Sequence, residues 1–347
     1  MKIDRLIEKT TEKDGVKKWK VVVGIVVGLV LAICIIFSIW VICDVDAYIH
    51  DNNQIVALYD FYDSHDYTNE TSVYFVGNSQ LGYAVYTPEI NRMLSESGYN
   101  ITSYNLFLDG ETPNDLLLQL DKIIVHHPSL MIIGYSYRSL LYDSFSTERS
   151  PYVSSRINLS DEVKDYLSES ELKSLGISSR IDVYRGSLKS TLIGSIDIVD
   201  SIKQTYDYEY DPIGDIYRKE WNNQNLISIT NSLNQWPGSP AVTDELIAKQ
   251  DSLIYFIDCL TSEGISVIVL NLPIHPLYSE QISENSRNTY YEFLDSLGVD
   301  WYNYENKYDI SFFRDQAHAN WNGSLEFSHE MAELIIELEE SNVIHHS

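Results

Sequence analysis

From residue 72 onward, short apolar runs that stop at glycine or asparagine alternate with amphipathic stretches, and few folds accommodate that order. Val73-Tyr74-Phe75-Val76 breaks off into Gly77-Asn78-Ser79, so residues 72–77 read as a strand. A helix is expected over 79–97, with Pro88 near an internal start, and a second strand over 101–107. Thr112-Pro113 then opens a helix as N-cap and first helical residue. Its apolar stripe is Leu116, Leu117, Leu120, Ile123 and Ile124. Leu130-Met131-Ile132-Ile133-Gly134 is a short buried strand. The β-α-β-α-β order implies right-handed crossovers and parallel strands. The pattern resumes with a helix at 243–262, the strand Ile265–Asn271 ending at Pro273, a helix at 279–297 and a strand at 300–304. A closing helix is expected over 322–339. The expectation is a three-layer α/β/α domain over residues 72–340, with a mainly parallel, flavodoxin-like sheet of about five strands.

Residues 135–242 interrupt this rhythm. They are rich in Ser, Tyr and Asp and include Tyr206-Asp207-Tyr208-Glu209-Tyr210-Asp211. A structureless loop of that length is rare in a compact domain, so a helical insertion or cap is expected there. Tyrosines in such a run can stack on sugar rings, but buried structural roles are the expectation.

Before the domain, Val21–Cys43 is a run without a charge, long enough to span a bilayer as a helix and too long for a cleaved signal peptide. Lys17, Lys18 and Lys20 precede it, and Asp44, Asp46 and Asp51 follow. The positive-inside rule then puts residues 1–20 in the cytoplasm and everything beyond 44 outside, as a single-pass membrane protein. Residues 44–71 read as a juxtamembrane helix or linker, and 341–347 as a tail.

The net charge of −27 excludes a phosphate-binding surface, so nucleic acid is not an expected partner. Residues 1–20 carry seven Lys or Arg against four acids, which leaves 17 basic and 47 acidic residues beyond them. Cysteine is confined to Cys34, Cys43 and Cys259, which gives neither a disulfide framework nor a metal site. His126-His127, at a helix end, suits the helix dipole better than a metal. No metal or cofactor is expected. Asn-x-Ser/Thr acceptors stand at Asn69, Asn100, Asn158 and Asn322.

The chemistry concentrates at strand ends, where open α/β sheets bind their ligands. Ser79 follows the first strand, and Asp315 and His318 follow the last. An Asp three residues before a His can orient its imidazole, and that imidazole can take a proton from a serine hydroxyl. Separately, a serine after Gly-Asn is commonly a helix cap, and Asp-x-x-His is commonly an ordinary loop pair.

Together these segments resemble the SGNH (GDSL-type) hydrolases. Gly77-Asn78-Ser79 is similar to the family's first block, with Asn where Asp is usual. Asn105-Leu106-Phe107-Leu108-Asp109-Gly110-Glu111-Thr112 is similar to the second, whose glycine supplies an oxyanion-hole amide. Asp315-Gln316-Ala317-His318-Ala319-Asn320-Trp321-Asn322-Gly323 resembles the last, which carries base and aspartate. The resemblance implies Ser79 as nucleophile, His318 as base, Asp315 as its orienting partner, and the Ser79 and Gly110 amides as oxyanion donors. The third block departs: Gly134-Tyr135-Ser136-Tyr137 has Ser136 where the family's Asn donates to the oxyanion. Ser136, Arg138 or another group then substitutes, or activity is reduced, since a lost oxyanion donor costs about 10²–10³ in rate.

With the anchor, Gly-Asn-Ser-Gln-Leu and the altered third block, the chain looks more like membrane-tethered relatives such as the DltD proteins of D-alanyl transfer to teichoic acid. The implied function is a serine esterase or acyltransferase on ester-linked acyl groups of cell-envelope glycans. Its expected partners are an acylated envelope polymer and a membrane-bound acyltransferase. A catalytically inactive tethered scaffold or glycan-binding partner is the alternative from another class.

Overall fold

The structure is a computed structural model, and it describes residues 19, 22–35, 54–68, 70–142, 160–167, 172, 206–214, 218–219, 225–234, 238–239 and 243–344. The chain divides into two compact units, Met1–His50 with Tyr184–Asp200, and Asp51–Val183 with Ser201–Ser347. In the first unit, residues 22–35 are helical. The expected span 21–43 therefore lies partly outside the described residues, and among those described no helix is long and apolar enough to cross a membrane. Acceptor sites Asn69 and Asn158 also lie outside the described residues, whereas Asn100 and Asn322 are exposed.

The second unit is built on a five-stranded sheet of order β2-β1-β3-β4-β5. The strands are β1 Thr71–Gly77, β2 Ile101–Asn105, β3 Leu130–Tyr135, β4 Ser266–Asn271 and β5 Trp301–Asn303. All four pairings are parallel. This is the flavodoxin-like order, in which the chain leaves β1 to one side and returns to β3 on the other. The carboxyl ends of β1 and β3 are thus the switch point, where crossover loops part and leave a crevice.

The interior strands are buried on both faces, as parallel strands covered by helices must be. Val73 and Phe75 of β1 pack with Leu130, Ile132, Ile268 and Leu270 into one core. That core is closed by helix α3 Thr87–Glu96, through Ile90 and Leu94, and by the C-terminal helix α11 Trp321–Glu340, through Phe327, Met331 and Ile335. On the opposite face α4 Pro113–His126 packs against α8 Asp244–Ser262, and the helix expected over 279–297 divides into α9 Pro276–Ser279 and α10 Glu284–Asp295.

The helix expected over 79–97 divides into α2 Ser79–Ala84 and α3. Val85 is extended (φ −93°, ψ 120°) and Tyr86 N-caps α3, with Pro88 in its first turn. Pro88 has no N–H to give the Ala84 carbonyl four residues back and its ring clashes with that carbonyl, so one helix cannot run through, and the break falls at Val85-Tyr86.

Residues 54–64 form a helix, α1, whose Ile55, Leu58, Tyr59, Phe61 and Tyr62 are buried. Tyr59 Oη donates to the Leu118 carbonyl, and Tyr62 Oη donates to Gln119 Oε1 at 2.9 Å, fastening α1 along α4. Of the two readings of this tyrosine-rich segment, helix or linker, residues 54–64 take the helix, whose tyrosines bury their rings and satisfy their hydroxyls on a neighbouring helix. His126 turns inward as well. Its Nδ1 pairs with Tyr74 Oη at 2.9 Å and its Nε2 with the Tyr62 carbonyl at 2.6 Å, and burial pushes its pKa down. It is a neutral core group, and the helix dipole is not what places it.

Within 135–242 the described pieces are α5 Tyr137–Tyr142, α6 Asp161–Asp165 and α7 Leu226–Leu233, with a bridge between Asp207 and Asp211. Tyr208 is buried and its hydroxyl donates to the Phe107 carbonyl at 2.9 Å, while Tyr210 is exposed.

Gly77 and Gly134 face each other in register at the ends of β1 and β3. Gly77 has φ +150°, and a Cβ there would lie 2.3 Å from the Gly134 carbonyl oxygen. Gly77→Ala should destabilise the domain by about 2–5 kcal/mol, from strained backbone plus overpacking. Urea titration followed by circular dichroism measures it, and a substitution costing under 1 kcal/mol would contradict the closeness of this contact.

Candidate functional site

The chain turns at Gly77 and enters α2, and the hydrogen bonding of that turn decides what Ser79 can do. Asn78 is the N-cap: its Oδ1 accepts from the Gln80 amide at 3.0 Å. With the capping done by Asn78, Ser79 is the first helical residue, and its Oγ lies 2.8 Å from His318 Nε2. The Asn78 side chain is almost fully buried, while Ser79 and His318 are each partly open.

His318 sits in a tight loop between Phe313 and Ala319, which form an antiparallel bridge. The Arg314 amide donates to the His318 carbonyl at 2.9 Å, closing the loop on itself. Inside it, Asp315 Oδ1 accepts from the amides of Ala317 and His318, each at 2.9 Å. Both carboxylate oxygens lie 3.0 Å from His318 Nδ1. Burial alone would raise the Asp315 pKa, but the His318 side chain and the two amides favour the carboxylate and hold it at about 2. An ionised carboxylate only accepts, so Nδ1 carries the ring proton and Nε2 presents a lone pair to the Ser79 hydroxyl. The Tyr83 ring meets the imidazole edge to face at 5.1 Å and limits its rotation.

Gly110, in the loop after β2, has φ +61°. That loop continues to pair beside β1, with Leu106 N–H on the Phe75 carbonyl (2.8 Å) and Leu108 N–H on the Gly77 carbonyl (3.1 Å). Gln54 of α1 clamps it further: its Nε2 donates to the Phe107 carbonyl and its Oε1 accepts from the Asp109 amide at 2.8 Å. Ser136 is fully buried, and its hydroxyl donates to Gln80 Oε1 at 2.6 Å, so its single proton is directed at Gln80 and away from a ligand. Arg138 is partly exposed.

Two contributors to the site are not visible as motifs. Arg218, only 2 % exposed, donates to both oxygens of Asp211, each at 2.8 Å. The same guanidinium donates to the carbonyls of Gly82 (2.9 Å), Tyr83 (3.0 Å) and Val85 (2.7 Å). These are the carbonyls left unpaired where α2 ends, so an inserted arginine caps the helix that begins with Ser79. Asn105 Nδ2 reinforces it from β2, donating to Gly82 and Val85 carbonyls at 2.9 Å. His275 is the second contributor, wholly buried in the loop after β4. Its pKa is lowered by burial against an opposing pull from Asp315, and its Nδ1 accepts from the Leu277 amide at 3.3 Å. A single histidine or arginine far from any block leaves no spacing signal in a sequence.

No family model matches the chain, and no curated protein matches it. Among solved structures, it is similar to the psychrotrophic esterase EstA from Pseudoalteromonas sp., in a structure inhibited by monoethylphosphonate. Identity is 10%, over 78% of this chain and 100% of that one, with a TM-score of 0.36. TesA is similar at 11% identity, over 77% of this chain and 99% of its own, with a TM-score of 0.34. The α/β assignment stands on the strand order and register described above.

Arg218→Leu should cost about 3–5 kcal/mol, because it strands a buried Asp211 charge and the carbonyls ending α2. Replacing Asp211 by Leu as well should recover part of that loss in urea unfolding, and full additivity of the two would rule out the pairing. Asp315 gives a pH signature. Its folded pKa is depressed, so its stabilisation is complete above the unfolded value of about 4 and is lost as pH falls towards about 2. Asp315→Asn should remove that part of the acid dependence of the melting temperature, and an unchanged acid limb would contradict it.

Proposed function

We propose that this chain is a serine acyl-ester hydrolase or O-acyltransferase that works through an acyl-enzyme. The observation that carries the proposal is the continuous line Ser79 Oγ–His318 Nε2 (2.8 Å) and His318 Nδ1–Asp315 (3.0 Å), assembled from the segments that follow β1 and β5. His318 takes the Ser79 proton as the oxygen attacks the acyl carbonyl, and Asp315 stabilises the imidazolium that forms. The tetrahedral oxyanion falls to the Ser79 and Gly110 backbone amides. Collapse expels the alcohol, protonated by His318, and leaves the acyl group on Ser79. Water, or a sugar hydroxyl deprotonated by the same imidazole, then takes the acyl group and restores the serine.

The charge-free run Val21–Cys43 with lysines before it and aspartates after supports a membrane-tethered protein whose catalytic domain faces the envelope. There the acyl groups within reach are esters on envelope glycans, or groups handed over by a membrane acyltransferase. A DltD-like role belongs to the second case. With the Ser136 proton directed at Gln80, the oxyanion site relies on backbone donors, which favours a substrate delivered and held by a partner.

A fluorophosphonate should label the purified domain and fail to label Ser79→Ala, and Asp315→Asn should slow labelling by about 10⁴. Deleting the gene and measuring ester-linked groups on surface glycans separates the two activities: more ester indicates hydrolysis, and less indicates transfer. No change in ester, together with an unlabelled wild type, would leave a tethered scaffold.

A further inference from the structure

Gln80 directly follows the serine, faces inward and is 4 % exposed. A core-facing position in the first turn of a helix ordinarily holds an apolar side chain, because a buried carboxamide must find partners or cost stability. Its neighbour Leu81 is such a residue, fully buried over Gly134. Gln80 finds its partners on two different parts of the sheet edge. Its Oε1 accepts from the hydroxyl of Ser136, just past β3, at 2.6 Å. Its Nε2 donates to the carbonyl of Ala317, the residue before His318, at 3.4 Å.

The loop carrying His318 is held from the far side as well. The Asn225 amide donates to the Arg314 carbonyl at 2.6 Å, and Ser228 Oγ donates to Gln316 Oε1 at 2.9 Å, both from the α7 segment. Gln80 supplies the link to the nucleophile side. Because the serine and the imidazole come from residues 239 positions apart, their separation depends on such cross-links, and a misplacement of about 1 Å can cost about 10²-fold in rate.

We infer that Gln80 is a positioning residue: its carboxamide bridges the β3 corner and the histidine loop, and so holds His318 Nε2 on Ser79. This rests on the serine-nucleophile reading proposed above. Ser136 belongs to the same device, orienting the carboxamide so that its nitrogen faces Ala317.

The test uses the purified full-length protein with a fluorophosphonate, separating the maximal inactivation rate from the inhibitor's apparent affinity. Gln80→Leu should fold with a similar melting temperature, lose about tenfold or more in maximal rate, and keep its affinity. Ser136→Ala should fall in the same direction, and combining it with Gln80→Leu should cost no more than Gln80→Leu alone. Gln80→Glu keeps the shape but loses the donor to Ala317 and adds a negative charge beside the loop. That charge favours the imidazolium, so the His318 titration followed by NMR and the acid limb of labelling should both move to higher pH. Should Gln80→Leu not fold, Gln80→Met carries the rate comparison.

A wild-type rate in Gln80→Leu or Gln80→Met, or additive effects with Ser136→Ala, would overturn the bridge. An unmoved His318 titration in Gln80→Glu would do the same. A wild type that does not label overturns the nucleophile reading instead, while the His318 titration still reports on the bridge.

Discussion

The close meeting of β1 and β3 at Gly77 and Gly134 governs what lies above it. These strands diverge in connectivity at this point, one loop leading to α2 and the other to α5, so the crevice between them is a consequence of strand order. The absence of side chains at both glycines lets Leu81 settle over the junction, which sets the height of α2 above the sheet. Ser79 stands at the start of that helix, so its distance to His318 depends on where the helix sits.

A short helix over a glycine junction has little intrinsic stability, since a few residues cannot offset the cost of nucleation. Tertiary polar contacts hold it. Asn78 caps its start, while Arg218 and Asn105 take up the carbonyls at its end. These groups are buried, so each is either satisfied or costly. Polar residues packed this densely around one helical turn favour a single arrangement of Ser79. Arg218 also gives the insertion a purpose in the fold: with Asp211 it connects residues outside the α/β repeat to α2.

The histidine loop follows the same logic in smaller compass. Asp315 is committed to two backbone amides as well as the imidazole, so the carboxylate shapes the loop that it serves electrostatically. A carboxylate with these partners stays ionised far into acid, which fixes the imidazole tautomer wherever the ring is neutral. Loop geometry and acid–base function are thereby a single set of hydrogen bonds.

Much of this was legible in the chain itself. Apolar runs located the interior strands β1, β3 and β4, because burial on both faces leaves them few polar positions, and the strand–helix alternation placed the edge strands β2 and β5. Ser79, Asp315 and His318 were legible because short-range turn chemistry confines them to strand ends, and the sheet's polarity brings one edge together. Tertiary structure decided the rest. Ile55, Leu58, Tyr59 and Tyr62 stand at helical spacing, so a helix was one of two readings of this stretch, but that it packs along α4 was decided by where its tyrosine hydroxyls find partners. Ser136 was readable as an oxyanion donor until the fold turned its hydroxyl to Gln80. Arg218, Gln54 and Gln80 act through partners between 7 and 237 residues away, and a hydrogen bond across such separations has no signature in sequence order. Spacing along the chain records what the backbone does within a turn or two; which distant side chains satisfy one another is settled only when the helices pack.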